Sequence, residues 1–231
     1  MAIARPTERK LYQQVADQVR ALIQAGMFDP GSRLPAEREL AQQLGVSRPS
    51  LREALIALEI EGAVEIRMGS GIYVLAGAEA RLSRGTPIGE SPAELMQARA
   101  VVEGAIILQA AARITPEALH ALRQSLTGMK AVTTDGWKPL DYDRQFHLII
   151  AEQSGNTVLV RTVRELFDER HSPMSARLRK RIESQTTWKL AIAEHETILT
   201  ALEARDPHLA QAHMHVHLEQ SKRRWMENDL P

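Results

Sequence analysis

A chain of 231 residues, 44% hydrophobic and 25% charged, has the make-up of an ordinary globular protein with one large or two modest domains. Its 29 basic and 29 acidic residues cancel, which excludes a general nucleic-acid coat protein and leaves DNA reading to a local surface. Without cysteine there are no disulfides and no thiolate metal sites. The longest apolar run, Val101–Leu108, is broken by Glu103 and is too short to cross a bilayer, and no basic-then-apolar leader is present. The expected location is the cytoplasm, with no membrane partner.

Lys10–Met27 reads as a first helix, with Leu11, Val15, Val19, Leu22 and Ile23 as its apolar stripe and Gly26 at its end. Phe28–Ser32 is turn chemistry. The stretch LPAERELAQQLGVSRPSLREALIAL, Leu34–Leu58, then reads as two short helices. Leu40, Leu44, Val46, Leu51, Leu55 and Leu58 recur at three- and four-residue intervals. Gly45 marks the reversal, Ser47 is the N-cap candidate of the second helix, and Pro49 falls in its first turn. That helix opens with Ser47, Arg48, Ser50 and Arg52, hydroxyls and guanidiniums suited to phosphates and guanine edges. Alone, such a pair is equally a plain helical hairpin with solvated arginines. Val64–Arg67 and Ile72–Val74, separated by Met68-Gly69-Ser70-Gly71, add a β-hairpin with a glycine-rich tip. A helix-turn-helix followed by such a hairpin is a winged helix. Glu37, Glu39, Glu53 and Glu59 balance the arginines here and are expected to pair or face away from DNA.

The predicted architecture is mainly α: a winged helix over 1–76, a linker over 77–90, and an all-helical bundle over 91–231. Ser91-Pro92-Ala93-Glu94 is a helix start. Breaks at Thr115-Pro116, Thr133-Asp135-Gly136, Gly155-Asn156, His171-Ser172-Pro173 and Asp206-Pro207 divide the rest into about six helices of an antiparallel bundle. All eight histidines lie in this part. Asp143 and His147 stand at i and i+4, one turn apart on one helix face. His195 sits mid-helix among apolar residues, and His217 precedes Leu218 in the last helix. Brought together in a bundle core, three imidazoles and a carboxylate would bind zinc, nickel or manganese. Taken singly, each histidine is ordinarily just hydrogen-bonded, and the Asp–His pair is equally a helix-surface pair. His213 shares a face with His217 and is a decoy candidate; His120, His171, His208 and His215 carry no pattern.

The run from Pro30 to Val74 closely resembles the winged-helix domain of GntR-type bacterial transcription regulators. The later pattern resembles the helical effector domain, called FCD, of the FadR branch of that family. It is carried by Asp143, Phe146-His147, Ser154-Gly155-Asn156, His195 with Ile198 and Ala201, Asp206, Ala210 and His217-Leu218. The resemblance implies DNA contacts at Arg38, Ser47, Arg48, Ser50, Arg52 and Gly69, with Arg48 and Arg52 as base readers and Gly69 at the wing tip. It implies a divalent metal, zinc first, held by Asp143, His147, His195 and His217. It further implies a homodimer on an inverted-repeat operator and a small carboxylate effector. Arg99 is read as a clamp on a second carboxyl group or as a solvated helix arginine. Trp188 is read as a cavity wall or as core packing. Leu166–Leu178 looks most like the branch that senses sugar acids such as hexuronates.

The expectation is therefore a metabolite-responsive repressor, with no catalytic residues. Two rivals stand beside it. One is a metal-dependent enzyme with an appended DNA-binding module, since an open zinc site activates water. The other is a constitutive architectural protein with a structural metal.

Overall fold

The computed structural model describes residues 10–77, 88–134 and 139–226. The chain forms two compact units, one of Met1–Ser91 with Met226–Pro231 and the other of Pro92–Trp225. Most of the predicted linker, residues 78–87, lies outside the described residues, as do Asp135 and Gly136 of one predicted break.

In the first unit, α1 is Leu11–Gln24, α2 Glu37–Leu44 and α3 Arg48–Ile60, followed by β1 at Val64–Arg67 and β2 at Gly71–Val74. Helix α1 stops short of the predicted Met27. Gly45 takes the left-handed conformation, φ 66°, that the α2–α3 reversal needs and a side chain disfavours. Ser47 caps α3 by accepting a hydrogen bond from the Ser50 amide at 3.2 Å. The β strands pair antiparallel, with Val64 opposite Val74 and Arg67 opposite Gly71. Residues 88–91 belong to this unit as well: the Tyr12 hydroxyl donates to the Gly89 carbonyl at 3.0 Å, and Ser91 donates to Glu53.

The described residues of the second unit form seven α-helices: α4 Pro92–Arg113, α5 Pro116–Thr134, α6 Leu140–Glu152, α7 Thr157–Asp168, α8 Pro173–Ile182, α9 Gln185–Glu203 and α10 Pro207–Met226, whose last residue is counted with the first unit. A short 3-10 turn, Glu169–His171, joins α7 to α8. The break missing from the sequence reading is at Glu183-Ser184. There the Ser184 side chain accepts from the Thr187 amide and the Thr187 hydroxyl from the Ser184 amide, a capping box. Helix α4 packs on α6 and α7, and α5 on α6 and α9. Their shared core includes Ile107, Leu122, Phe146, Ile198 and Leu218. Helix α4 is 22 residues, much longer than its apolar run. It is long and apolar enough to cross a membrane by composition, yet more than half of its most apolar window is buried in the bundle.

Leu122 is fully buried between these helices. Leu122→Ala should lower the unfolding free energy by about 2–5 kcal/mol, from lost transfer energy plus a cavity. Urea denaturation of the full chain measures this, and a loss under about 1 kcal/mol would contradict the packing described.

Candidate functional site

Helices α6, α9 and α10 bring Asp143, His147, His195 and His217 into one buried cluster. One potential ligand atom from each lies within 4.8 Å of the others. Asp143 and His147 meet because one helical turn separates them. The His195 Nε2 is 3.1 Å from Asp143 Oδ1 and 3.3 Å from His147 Nε2. The His195 and His217 rings are 4.3 Å apart, centroid to centroid.

What the other ring nitrogens do decides the chemistry. His147 Nδ1 meets Glu103 in a short contact, His195 Nδ1 lies 2.7 Å from the Ala191 carbonyl, and His217 Nδ1 lies 2.8 Å from Glu194. A carboxylate or a carbonyl only accepts, so each Nδ1 carries the hydrogen. In a neutral ring Nε2 is then a bare lone pair. Three such lone pairs and Asp143 Oδ1 face one another in a buried cluster, an arrangement of acceptors that a cation satisfies. The donor set, three imidazole nitrogens and one carboxylate oxygen, fits zinc, nickel or manganese, and outer partners on Nδ1 are the usual support of such ligands.

The electrostatics agree. Burial, with His195 nearby, drives the His217 pKa down to about 3, so its ring is neutral at neutral pH. Burial lowers His147 as well, against the pull of Glu103. Burial alone would raise Glu103, but Arg99 and His147 hold it at about 2. Burial would likewise raise Asp143, and Arg170 with the histidines keeps it well below the carboxylate range. Burial pushes Glu194 up, and Arg224 and His217 bring it to about 2. The outer carboxylates are thus charged acceptors for the imidazoles.

Beside the cluster opens a small cavity of about 40 Å³. Asp143, His217, Arg99, Arg170, Trp188 and Arg224 line it. Arg99 is buried, 2% exposed, and spends its Nε on Glu103 at 2.7 Å. Among the described residues its Nη2 has no hydrogen-bond partner, and neither has the indole nitrogen of buried Trp188. Both residues singled out as effector contacts therefore bound this space and hold unspent donors. The other five histidines lie outside the cluster; His120, His171, His208 and His215 are exposed and His213 is half-buried.

In the winged helix, Arg38 and Ser47 are exposed, and Ser50 is half-buried with its hydroxyl 2.8 Å from that of Ser47. Arg48 lies 3.6 Å from Glu37 and remains two-fifths exposed. Gly69, φ 72°, is exposed at the wing tip. Arg52 departs from its predicted part as a base reader. It is fully buried, its guanidinium forked on Glu37 at 2.8 and 3.2 Å. Desolvating a charge is affordable only with such a partner, so in this conformation Arg52 ties α3 to α2 and does not face a base. Glu37 and Glu53 pair as expected, and Glu59 accepts from the Ile66 amide at 3.2 Å.

Residues 11–74 match the model of bacterial regulatory proteins of the gntR family, and residues 94–220 match the FCD domain. The chain belongs to the GntR family of bacterial regulatory proteins. It is a transcriptional regulator with an FCD domain, of the FadR-type branch. Among GntR relatives, it is 38% identical over 223 residues to the Uxu operon transcriptional regulator of Escherichia coli K12, covering 94% of this chain and 87% of that one. It is 36% identical over 232 residues to the Exu regulon transcriptional regulator of the same strain, covering 96% and 86%. A solved Streptococcus agalactiae GntR structure superposes with a TM-score of 0.50 at 25% identity, covering 92% of this chain and 99% of that one. The relatives are named as regulators, not enzymes.

Sequence reasoning missed the outer partners Glu103, Glu194, Arg170 and Arg224. Glu103 did leave a signal, an acid inside an apolar run; the rest left none. For the Glu37–Arg52 pair, Glu37→Ala should strand a buried guanidinium and destabilise the full chain by about 3–5 kcal/mol. Chemical denaturation tests this, and an unchanged midpoint would mean that the pair contributes nothing.

Proposed function

We propose that this regulator is a metal-dependent sensor of a small carboxylic acid, acting as a dimeric repressor on an inverted-repeat operator. The observation that carries the reading is the convergence of three Nε2 lone pairs and one carboxylate oxygen beside an arginine-lined cavity. Asp143, His147, His195 and His217 would hold a divalent ion, zinc by preference for this donor set. Bound there, the ion supplies a positive charge and open coordination positions for an acid's oxygens. Arg99 orients the ligand through its unspent Nη2, and Trp188 donates its indole N–H to a ligand hydroxyl or carbonyl. A polyhydroxylated acid suits these donors better than a fatty one. The resemblance of Leu166–Leu178 to the sugar-acid branch, and the Exu and Uxu names of the relatives, support a hexuronate.

DNA is read through Arg48, with Ser47, Ser50 and Arg38 positioned for phosphates and Gly69 at the wing for the minor groove. Ligand control requires different acid affinity in the DNA-competent and incompetent states, a coupling of about 1–3 kcal/mol. The enzyme alternative has no support from the relatives' names, and a constitutive architectural protein would show no effect of acid on DNA affinity.

The test is a thermal-shift screen of D-glucuronate, D-galacturonate and other small acids, with zinc and with chelator. A hexuronate shift that disappears on chelation is expected; a shift that survives chelation would detach the acid from the metal. On an operator fragment, Arg48→Ala should cost about 1–3 kcal/mol and relax base choice. Unchanged affinity and sequence preference in a band-shift titration would remove Arg48 from the interface.

A further inference from the structure

We propose that Arg170 is a positioning residue shared between the metal centre and the effector: it withholds one oxygen of Asp143 from the ion while presenting a second guanidinium edge to the acid. The inference rests on the reading of the helical domain as a metal-dependent acid sensor.

The two oxygens of Asp143 have different neighbours. Oδ1 faces the imidazoles, 3.1 Å from His195 Nε2 and 3.8 Å from His147 Nε2. Oδ2 is taken by Arg170 Nη1 in a short charged hydrogen bond. Arg170 stands on the 3-10 turn between α7 and α8, 8% exposed, so little water competes for that bond. A carboxylate that shares its charge with a guanidinium is a weaker donor to a cation, and only one of its oxygens is offered. The guanidinium and the ion then share Asp143, and Glu183 at 3.6 Å is the guanidinium's second anion. The arrangement lowers metal affinity and keeps coordination positions open for a ligand.

The other edge of Arg170 is poorly used. Among the described residues Nε has no hydrogen-bond partner, and Nη2 is ion-paired with Glu183 at 3.6 Å without a hydrogen bond, so the fork keeps donors to spare. Nε and Nη2 form the side-on fork that takes a carboxylate bidentately. Arg170 lines the cavity, and its guanidinium lies 5.4 Å from the Trp225 ring and 5.6 Å from Phe167, aromatic walls that hold it without spending its donors. An acid seated on this fork draws off positive charge that Asp143 otherwise shares. Asp143 then becomes a better donor, so acid and metal each strengthen the other's binding, a reciprocity that linkage requires.

Arg170→Met separates this account from a merely structural role. Outer partners that only orient a ligand lose metal affinity on removal. Here removal frees Oδ2 and deletes a competing cation. Zinc binding to the full-length protein, measured by competition with a chromophoric chelator, should tighten by about tenfold, the low end of the range for outer-partner substitutions. D-glucuronate should tighten zinc binding in the wild type and not in Arg170→Met. Arg170→Lys retains the charge and loses the fork: zinc affinity should stay near wild type while the D-glucuronate effect is lost, which keeps the test open if the methionine variant misfolds. Zinc affinity unchanged or weaker in Arg170→Met, or a wild-type affinity indifferent to D-glucuronate, overturns the inference. Zinc affinity equal in wild type and Asp143→Asn would instead remove the metal site, and with it the sensor reading itself.

Discussion

Three hydrogen bonds that point away from the site govern the helical domain. Each of His147, His195 and His217 commits its Nδ1 hydrogen outward, to Glu103, Ala191 and Glu194. That commitment turns three Nε2 lone pairs and Asp143 Oδ1 toward one point in a buried cluster. Facing acceptors without hydrogens are costly when buried. A cation removes that cost, which is why the proposed metal follows from the tautomers and not merely from the count of histidines. Aromatic packing fixes the rings as well: Phe146 meets His195 edge-on at 4.8 Å, and Phe167 lies 5.1 Å from His147.

A second pattern is the internal use of charge. Arg52 with Glu37, Arg99 with Glu103, and Arg224 with Glu194 are buried or nearly so, each on a short geometry. Part of the charge of a chain with equal numbers of acids and bases is thus spent inside, where sites are built. Buried pairs add little net stability but fix orientation. In the helical domain these pairs hold the carboxylates that in turn hold the imidazoles. Arg224 reaches Glu194 at 2.6 and 2.9 Å from the last turns of α10, so the end of that helix is tied to the His217 support.

The winged helix was legible because its signals are local. Gly45, Ser47 and Pro49 specify a turn and a helix start within five residues, and the Met68–Gly71 tip sits between two short β-rich runs. The four site residues were legible because a resemblance placed them, and because Asp143 and His147 share a face whatever the tertiary arrangement. Their supports were not. Glu103 lies 44 residues from His147, Glu194 lies 23 from His217, and Arg170 lies 27 from Asp143. Only packing brings these together, and no periodicity encodes it. The inward turn of Arg52 was hidden for the same reason: a basic residue at the start of a recognition helix looks identical whether it meets a phosphate or a buried glutamate. The Glu183-Ser184 break was visible in principle, since Ser184 and Thr187 form a capping pair, but no glycine or proline marks it.

The most direct measurement is anomalous diffraction at the zinc edge from crystals of the zinc-loaded protein. The account predicts one anomalous peak bounded by Nε2 of His147, His195 and His217 and Oδ1 of Asp143, with Oδ2 still on Arg170 when no acid is bound. A cluster without a peak at saturating zinc, its imidazoles bonded to one another through protons, would contradict it.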